Sequence, residues 1–270
     1  MTACSQEDNT RTIETLNVGS LPDQNESLLR AKYQPLLKYL NSSTGLTSKL
    51  LIPESYEQLL EWFDESRVDM ALFGGVTYVK ARQKNRAVPL VMRDVDSRFR
   101  SVALVSISNT ANRIRDLKGA SLAFGSRLST SGHFMPRYFL QNDNIEPESF
   151  FSTVEYSGTH DRTAEWVRDG KVEVGILNSG VAAEMLNDGR LSKDKVKILW
   201  ESPPYADYVW AIQPDISKQQ RTSIRDAFML MSQNHEAEEL LQSLGANYFI
   251  SATHEDFINL EKIVLQMDQQ

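Results

Sequence analysis

The run Ser101-Val102-Ala103-Leu104-Val105-Ser106-Ile107 divides the chain into two stretches of similar pattern. It is of strand length and apolar at most positions, so it predicts a buried strand. Upstream, strand-like and helix-like segments alternate. Leu16-Asn17-Val18 predicts a strand, and residues 25–40 predict a helix with Leu28, Leu29, Leu36, Leu37 and Leu40 on its apolar side and a kink at Pro35. Strands are predicted at 49–52, 69–73 and 88–92, separated by helices at 56–63 and 76–83. Downstream, Arg115-Asp116-Leu117-Lys118-Gly119 turns the chain into a second series, with strands at 121–124, 153–156, 172–177 and 196–199 and helices at 132–140, 161–168 and 179–186. Tyr208-Val209-Trp210-Ala211-Ile212 is a further apolar strand, and the remainder reads as helices over 218–231, 236–244 and 254–267.

This alternation predicts an α/β protein with largely parallel sheets, in two Rossmann-like lobes. With no third sheet to cover, the last helices are expected on the first lobe. Residues 14–100 with 208–270 form lobe 1 in this reading, residues 101–207 form lobe 2, and residues 1–13 are a flexible tether. Crossings near Arg100 and Asp207 make a two-segment hinge, and a cleft fed by the carboxyl ends of strands is the expected ligand site.

Composition narrows the partner. The 270 residues carry 29 Lys+Arg against 36 Asp+Glu, a net charge of −7, and 41% are hydrophobic, as in an ordinary folded chain. An acidic balance argues against nucleic acid, and no apolar run is long enough to span a bilayer. A small molecule is therefore the expected ligand. The single cysteine, Cys4, follows Met1-Thr2-Ala3 and precedes a hydrophilic run. Small residues before a cysteine resemble the end of a bacterial lipoprotein signal, which would make Cys4 the lipidated residue; the other reading is an incidental cysteine on a frayed end. His133, His235 and His254 have no metal-ligand spacing, so neither a metal nor a cofactor is expected.

Two segments carry candidate chemistry. In Gly125-Ser126-Arg127-Leu128-Ser129-Thr130-Ser131-Gly132, three hydroxyl residues crowd a predicted helix start. Free N–H groups and the helix dipole suit an oxyanion there, and hydroxyls add donors without charge; a redundant N-cap is the plainer reading. The Gly-x4-Gly-Lys-Ser/Thr nucleotide loop is missing. Tyr156-Ser157-Gly158-Thr159-His160-Asp161 again leads from strand to helix, and Ser202-Pro203-Pro204-Tyr205-Ala206-Asp207-Tyr208 marks the second crossing. Taken singly, His160 reads as a cap or surface residue and Asp207 as a turn carboxylate. A Ser131, His160 and Asp207 hydrolase triad is the rival from another class, but there is no Gly-x-Ser-x-Gly elbow and the chain order is not that of α/β-hydrolases.

These segments together resemble the substrate-binding proteins of phosphonate-type ABC transporters, which have the type II periplasmic binding protein architecture. The resemblance runs from Leu16 to about Ile212. It rests on Gly19-Ser20-Leu21-Pro22-Asp23, Tyr33-Gln34-Pro35-Leu36-Leu37-Lys38-Tyr39-Leu40, Val68-Asp69-Met70-Ala71-Leu72-Phe73-Gly74 with Tyr78, Asp116-Leu117-Lys118-Gly119, Ser129-Thr130-Ser131-Gly132, Ser157-Gly158-Thr159-His160-Asp161 and Ser202-Pro203-Pro204. It implies that Ser129, Thr130 and Ser131 bind phosphoryl oxygens with His160, Tyr56 and Asp207, by charge-assisted bonds. Asp207 would accept from a protonated P–OH and repel a fully ionised anion such as sulfate. Tyr78, Phe99, Asn178 and Trp210 are possible pocket residues.

Two departures shape the expected ligand. Phe99-Arg100-Ser101 stands where the family often has a tyrosine, which removes a hydroxyl donor, and Leu177-Asn178-Ser179 lacks the acidic residue that meets a ligand amine. A tailless anion is therefore expected: phosphite, phosphate or methylphosphonate. The resemblance implies a non-enzymatic, extracytoplasmic monomer that closes about its hinge and delivers the anion to an ABC permease; delivery to a sensor kinase is the alternative output.

Overall fold

A computed structural model describes residues 10–269. The strands are β1 (Thr15–Ser20), β2 (Thr47–Leu51), β3 (Met70–Phe73), β4 (Val88–Arg93), β5 (Ser101–Ser106), β6 (Ser121–Phe124), β7 (Thr153–Tyr156), β8 (Val174–Asn178), β9 (Val196–Glu201), β10 (Val209–Ile212) and β11 (Phe249–Ser251). They form two sheets, one ordered β11-β4-β10-β3-β1-β2 and the other β7-β6-β8-β5-β9. Around the first sheet lie α1 (Glu26–Thr44), α2 (Tyr56–Asp64) and α3 (Gly75–Asn85); with the second go α4 (Met135–Asn142), α5 (Pro147–Phe150), α6 (His160–Arg168) and α7 (Ser179–Asn187). The closing helices α8 (Lys218–Met229), α9 (Glu238–Ser243) and α10 (Ile258–Met267) return to the first sheet: Phe228, Leu241 and Val264 share one core with Val18, Phe63 and Phe73. Among the described residues no helix is long and apolar enough to cross a membrane.

The sheets are mixed rather than largely parallel. β1 lies parallel to β2 and β3, and β6 parallel to β7 and β8, as βαβ crossovers require. β5 runs against β8 and β9, and β10 against β3 and β4. Each of these strands follows a chain crossing: Ser101, at the start of β5, pairs with Asn178 at the end of β8, so β5 begins where its neighbour finishes. Such a strand must run backwards through its sheet. The crossings pair with each other through Phe99 N–H to Tyr205 O at 2.7 Å and Tyr205 N–H to Phe99 O at 3.0 Å, which makes the hinge a two-stranded ribbon.

Smaller expectations also change. α1 continues through Pro35 to Thr44, held by buried Leu29, Tyr33, Leu36, Leu37 and Leu40, while Leu28 falls off that face and is exposed. The tail is not all helix: β11 adds to the sheet edge against β4. Three residues are too few for periodicity to declare a strand.

Candidate functional site

β6 ends at Phe124, and the chain closes into a tight loop in which Gly125 N–H donates to Gly132 O at 2.9 Å. Ser129 caps the helix start by accepting from Gly132 N–H at 2.9 Å. Thr130–Phe134 form a π-helical turn, closed by Phe134 N–H to Ser129 O, and α4 continues from it. Gly132 is required by space: a Cβ there would lie 2.9 Å from both Ser129 Oγ and His160 Cε1. Ser129 and His160 therefore converge on one glycine. His160 opens α6 behind its N-cap Thr159, and its N–H donates to Asp23 O at 2.8 Å, so it is held from the opposite lobe.

That lobe contributes the loop between β3 and α3. The α3 N-terminus has no side-chain cap of its own; its N–H groups are met by two incoming side chains. Asp207 Oδ1 accepts from Gly75 N–H and Thr130 Oγ1 accepts from Val76 N–H, each at 3.0 Å. A Cβ on Gly74 would stand 3.1 Å from Thr130 Oγ1 and 3.3 Å from Asp207 Oδ1, so the glycine permits this close approach. Tyr56, the first residue of α2, is buried beside Ser129; Ser131 lies between the Asp207 carboxyl and the Tyr205 hydroxyl. All six of Tyr56, Ser129, Thr130, Ser131, His160 and Asp207 are thus buried and gathered at the lobe interface.

Their protonation follows from burial. Burial raises Asp207 to about 7, opposed by the Gly75 N–H and Thr130. Burial likewise lowers His160 to about 4, with Asp161 pulling the other way. Asn178 N–H faces His160 Nδ1 at 3.4 Å, which assigns the proton of the neutral ring to Nε2. That Nε2 and Asp207 Oδ2 are both buried without a protein partner. Ser129 and Thr130 use their oxygens as acceptors, leaving each O–H free to donate. The arrangement offers neutral hydroxyl and imidazole donors around one carboxyl group, with no Lys or Arg among the six. It suits an oxyanion that carries a proton of its own.

Of the possible pocket residues, Phe99 and Asn178 line the interlobe cleft. Phe99 packs edge-on against Tyr205 and Tyr208. Tyr78 and Trp210 do not belong here. Tyr78 packs on Phe257 at 4.7 Å beneath α10, and Trp210 sits between Tyr33 and Phe228 in the first core, because alternate residues of β10 face into that lobe. Cys4 lies outside the described residues.

Residues 18–257 match the family described as ABC transporter, phosphonate, periplasmic substrate-binding protein. The chain belongs to this family. It is 29% identical over 265 residues to the Prochlorococcus marinus (strain MIT 9301) protein named "Probable ABC transporter phosphite binding protein PhnD1", covering 93% of this chain and 89% of that one. The Escherichia coli (strain K12) phosphonates-binding periplasmic protein is 23% identical over 267 residues, 95% of this chain and 78% of its own. The structure of Prochlorococcus PhnD1 in complex with methylphosphonate superposes with a TM-score of 0.90 at 27% identity, covering 95% of this chain and 99% of the other.

The resemblance does not single out Asp23, Tyr205, Tyr208 and the Arg93–Asp96 pair as members of the site. Arg93 and buried Asp96 form an ion pair at 2.6 Å, and Asp96 O accepts from Asp207 N–H at 3.0 Å, which fixes the carboxylate's backbone. Burial raises Asp96 even so, against the charge of Arg93. The available signals are Asp23 at the end of the Gly19–Asp23 motif and the paired glycines Gly74-Gly75 after a strand.

Proposed function

We propose that this member of the family captures a small, tailless phosphorus oxyanion, namely phosphite, phosphate or methylphosphonate, by closure of two lobes, and passes it to the membrane permease. The observation that carries the reading is the pair of unpartnered buried atoms, His160 Nε2 and Asp207 Oδ2, set among the Ser129, Thr130, Ser131 and Tyr56 hydroxyls. An imidazole N–H that lacks an acceptor and a carboxyl oxygen that lacks a donor are both satisfied by one anion bearing a P–OH. A dianion without a proton would leave the carboxylate facing like charge, so sulfate is rejected. The names of the relatives, which mention phosphite and phosphonates, and the methylphosphonate in one of their structures support the ligand class.

In this reading residues 14–100 with 208–270 move against residues 101–207 about the paired crossings, the protein acts as a monomer, and Cys4 carries a lipid. The expected tether does not extend to residue 13: Arg11 pairs with Asp69 and Asp215, each at 2.7 Å, and Ile13 is held by Gln220, because a buried Asp69 needs a cationic partner. Asn178, where the pocket would need an acid to hold an ammonium group, favours a ligand without a cationic tail. Hydrolysis is disfavoured, because His160 makes no hydrogen bond to Ser131 or Asp207 among the described residues and so cannot relay a proton between them. The test is calorimetric titration of ligand-stripped protein with phosphite, phosphate, methylphosphonate, aminoethylphosphonate and sulfate in one buffer. Tight binding of a tailless phosphorus anion with sulfate silent is expected. Preference for aminoethylphosphonate would overturn the reading of Asn178, and silence toward all five would overturn the ligand class.

A further inference from the structure

Three buried side chains form a hydrogen-bonded chain across the lobes. Asn178 Nδ2 donates to the Tyr208 hydroxyl at 3.0 Å, and that hydroxyl donates to Asp23 Oδ2 at 2.6 Å. Each residue faces two ways. Inward, Asp23 O holds the His160 N–H, Asn178 N–H faces His160 Nδ1, and Tyr208 lies near Tyr56 and Asp207. Outward, all three line a cleft of about 870 Å³ between the lobes, whose other walls include Lys32, Arg98 and Glu184. That space is far larger than an inorganic oxyanion requires, and its lining includes Asp23, Asn178 and Tyr208 but none of Tyr56, Ser129, Thr130, Ser131, His160 and Asp207.

We propose that the Asn178–Tyr208–Asp23 chain is the wall that sets the largest substituent on phosphorus the site accepts. The proposal rests on the phosphorus-oxyanion reading above. A hydrogen, hydroxyl or methyl substituent stays inside the wall. A longer chain must displace Asn178 or Tyr208 to reach the cleft, and this separates the Tyr208 hydroxyl from Asp23 and leaves a buried carboxyl group without its donor. Burial already raises Asp23 to about 6, with the Tyr208 hydroxyl opposing it, so the carboxylate depends on that bond. Selectivity by size thus arises from a polar network that is costly to break, and the volume needed by larger ligands lies directly behind it.

Titrations of phosphite, methylphosphonate and n-propylphosphonate against the wild type and two variants test this. In the wild type, propylphosphonate should bind at least about 100-fold more weakly than the better of the two small anions. Asn178 caps α7 by accepting from Val181 N–H, and Asn178→Ser retains a capping oxygen while removing Nδ2 and shortening the wall. It should shift the ratio of propylphosphonate to small-anion affinity by about tenfold or more toward propylphosphonate. Tyr208→Ala should shift it further; if that variant does not fold, Asn178→Ser decides. Wild-type protein that binds propylphosphonate as tightly as the small anions overturns the wall, as does a folded Asn178→Ser protein with an unchanged ratio. In both cases small-anion binding by the wild type stands, whereas failure of the oxyanion reading itself would appear as wild-type protein that binds none of the three.

Discussion

Thr130 Oγ1, on one lobe, accepts a hydrogen bond from Val76 N–H, on the other, at 3.0 Å. The bond caps α3 with a residue from the far side of the cleft, and it can form only when the lobes are together. Thr130→Ala should therefore weaken anion binding by about 1–3 kcal/mol, roughly 5- to 150-fold, since both a ligand donor and the acceptor for a buried N–H are lost. Thr130→Ser keeps the hydroxyl and should stay close to wild type. Titration of both variants checks this, and equal losses would show that the methyl group, not the oxygen, matters.

Gly132 is fixed by what surrounds it rather than by its backbone. An added Cβ would lie 2.9 Å from Ser129 Oγ and His160 Cε1, two side chains of the candidate site. Gly132→Ala should push them apart, lowering affinity at least about tenfold while costing about 1–3 kcal/mol of stability from overpacking. Binding and chemical denaturation measured on the same sample separate the two effects. Undiminished affinity would mean that the loop yields without moving either group.

Much of this architecture is legible in the amino-acid sequence, for reasons tied to particular residues. Val102–Val105 and Met70–Phe73 announce themselves as buried strands because every position is apolar, and Ser129–Ser131 stand out because three hydroxyls meet at one helix start. Strand direction is a different matter. Nothing local in Ser101–Ser106 says that β5 runs against β8, since direction is set by where the crossing delivers the chain. Asp23 and Tyr208 are 185 positions apart, and each alone is an unremarkable turn or strand residue; their role exists only in the bond between them. Trp210 fails in the opposite sense: it neighbours Asp207 in sequence, yet β10 turns it into the core.

His160 should make the ligand-free protein sensitive to acid. Its folded pKa is depressed to about 4 by burial, below the ordinary value of 6.5, so the stability it contributes is present above pH 6.5 and is lost as pH falls toward 4. An imidazolium bonds an oxyanion more strongly than a neutral ring does, so a saturating anion should move this loss to lower pH or abolish it. Thermal melts from pH 7.5 to 4.5, with and without anion, test the effect. An anion-induced rise in melting temperature that does not grow toward pH 5 would detach His160 from the ligand.

Asp207 has the opposite sign. Burial lifts its folded pKa to about 7 against 3.8 in the unfolded chain, so the folded form holds the proton more tightly. The resulting stability is fully present below about pH 3.8 and is lost as pH rises through 7. Above pH 7 the ligand-free protein must keep a buried, half-satisfied carboxylate, because Oδ1 is met by Gly75 N–H but Oδ2 has no partner. Asp207→Asn retains an oxygen for Gly75 without charge and should stabilise the empty protein at pH 8 by a few kcal/mol, with the gain shrinking toward pH 5. The same substitution replaces an acceptor for P–OH with a donor. Sulfate should then begin to bind, while discrimination in favour of protonated phosphorus anions falls. Melting curves at the two pH values and a sulfate titration read these effects independently. A variant that gains stability at pH 8 yet still ignores sulfate would leave Asp207 as a buried titrating group and remove it as the filter.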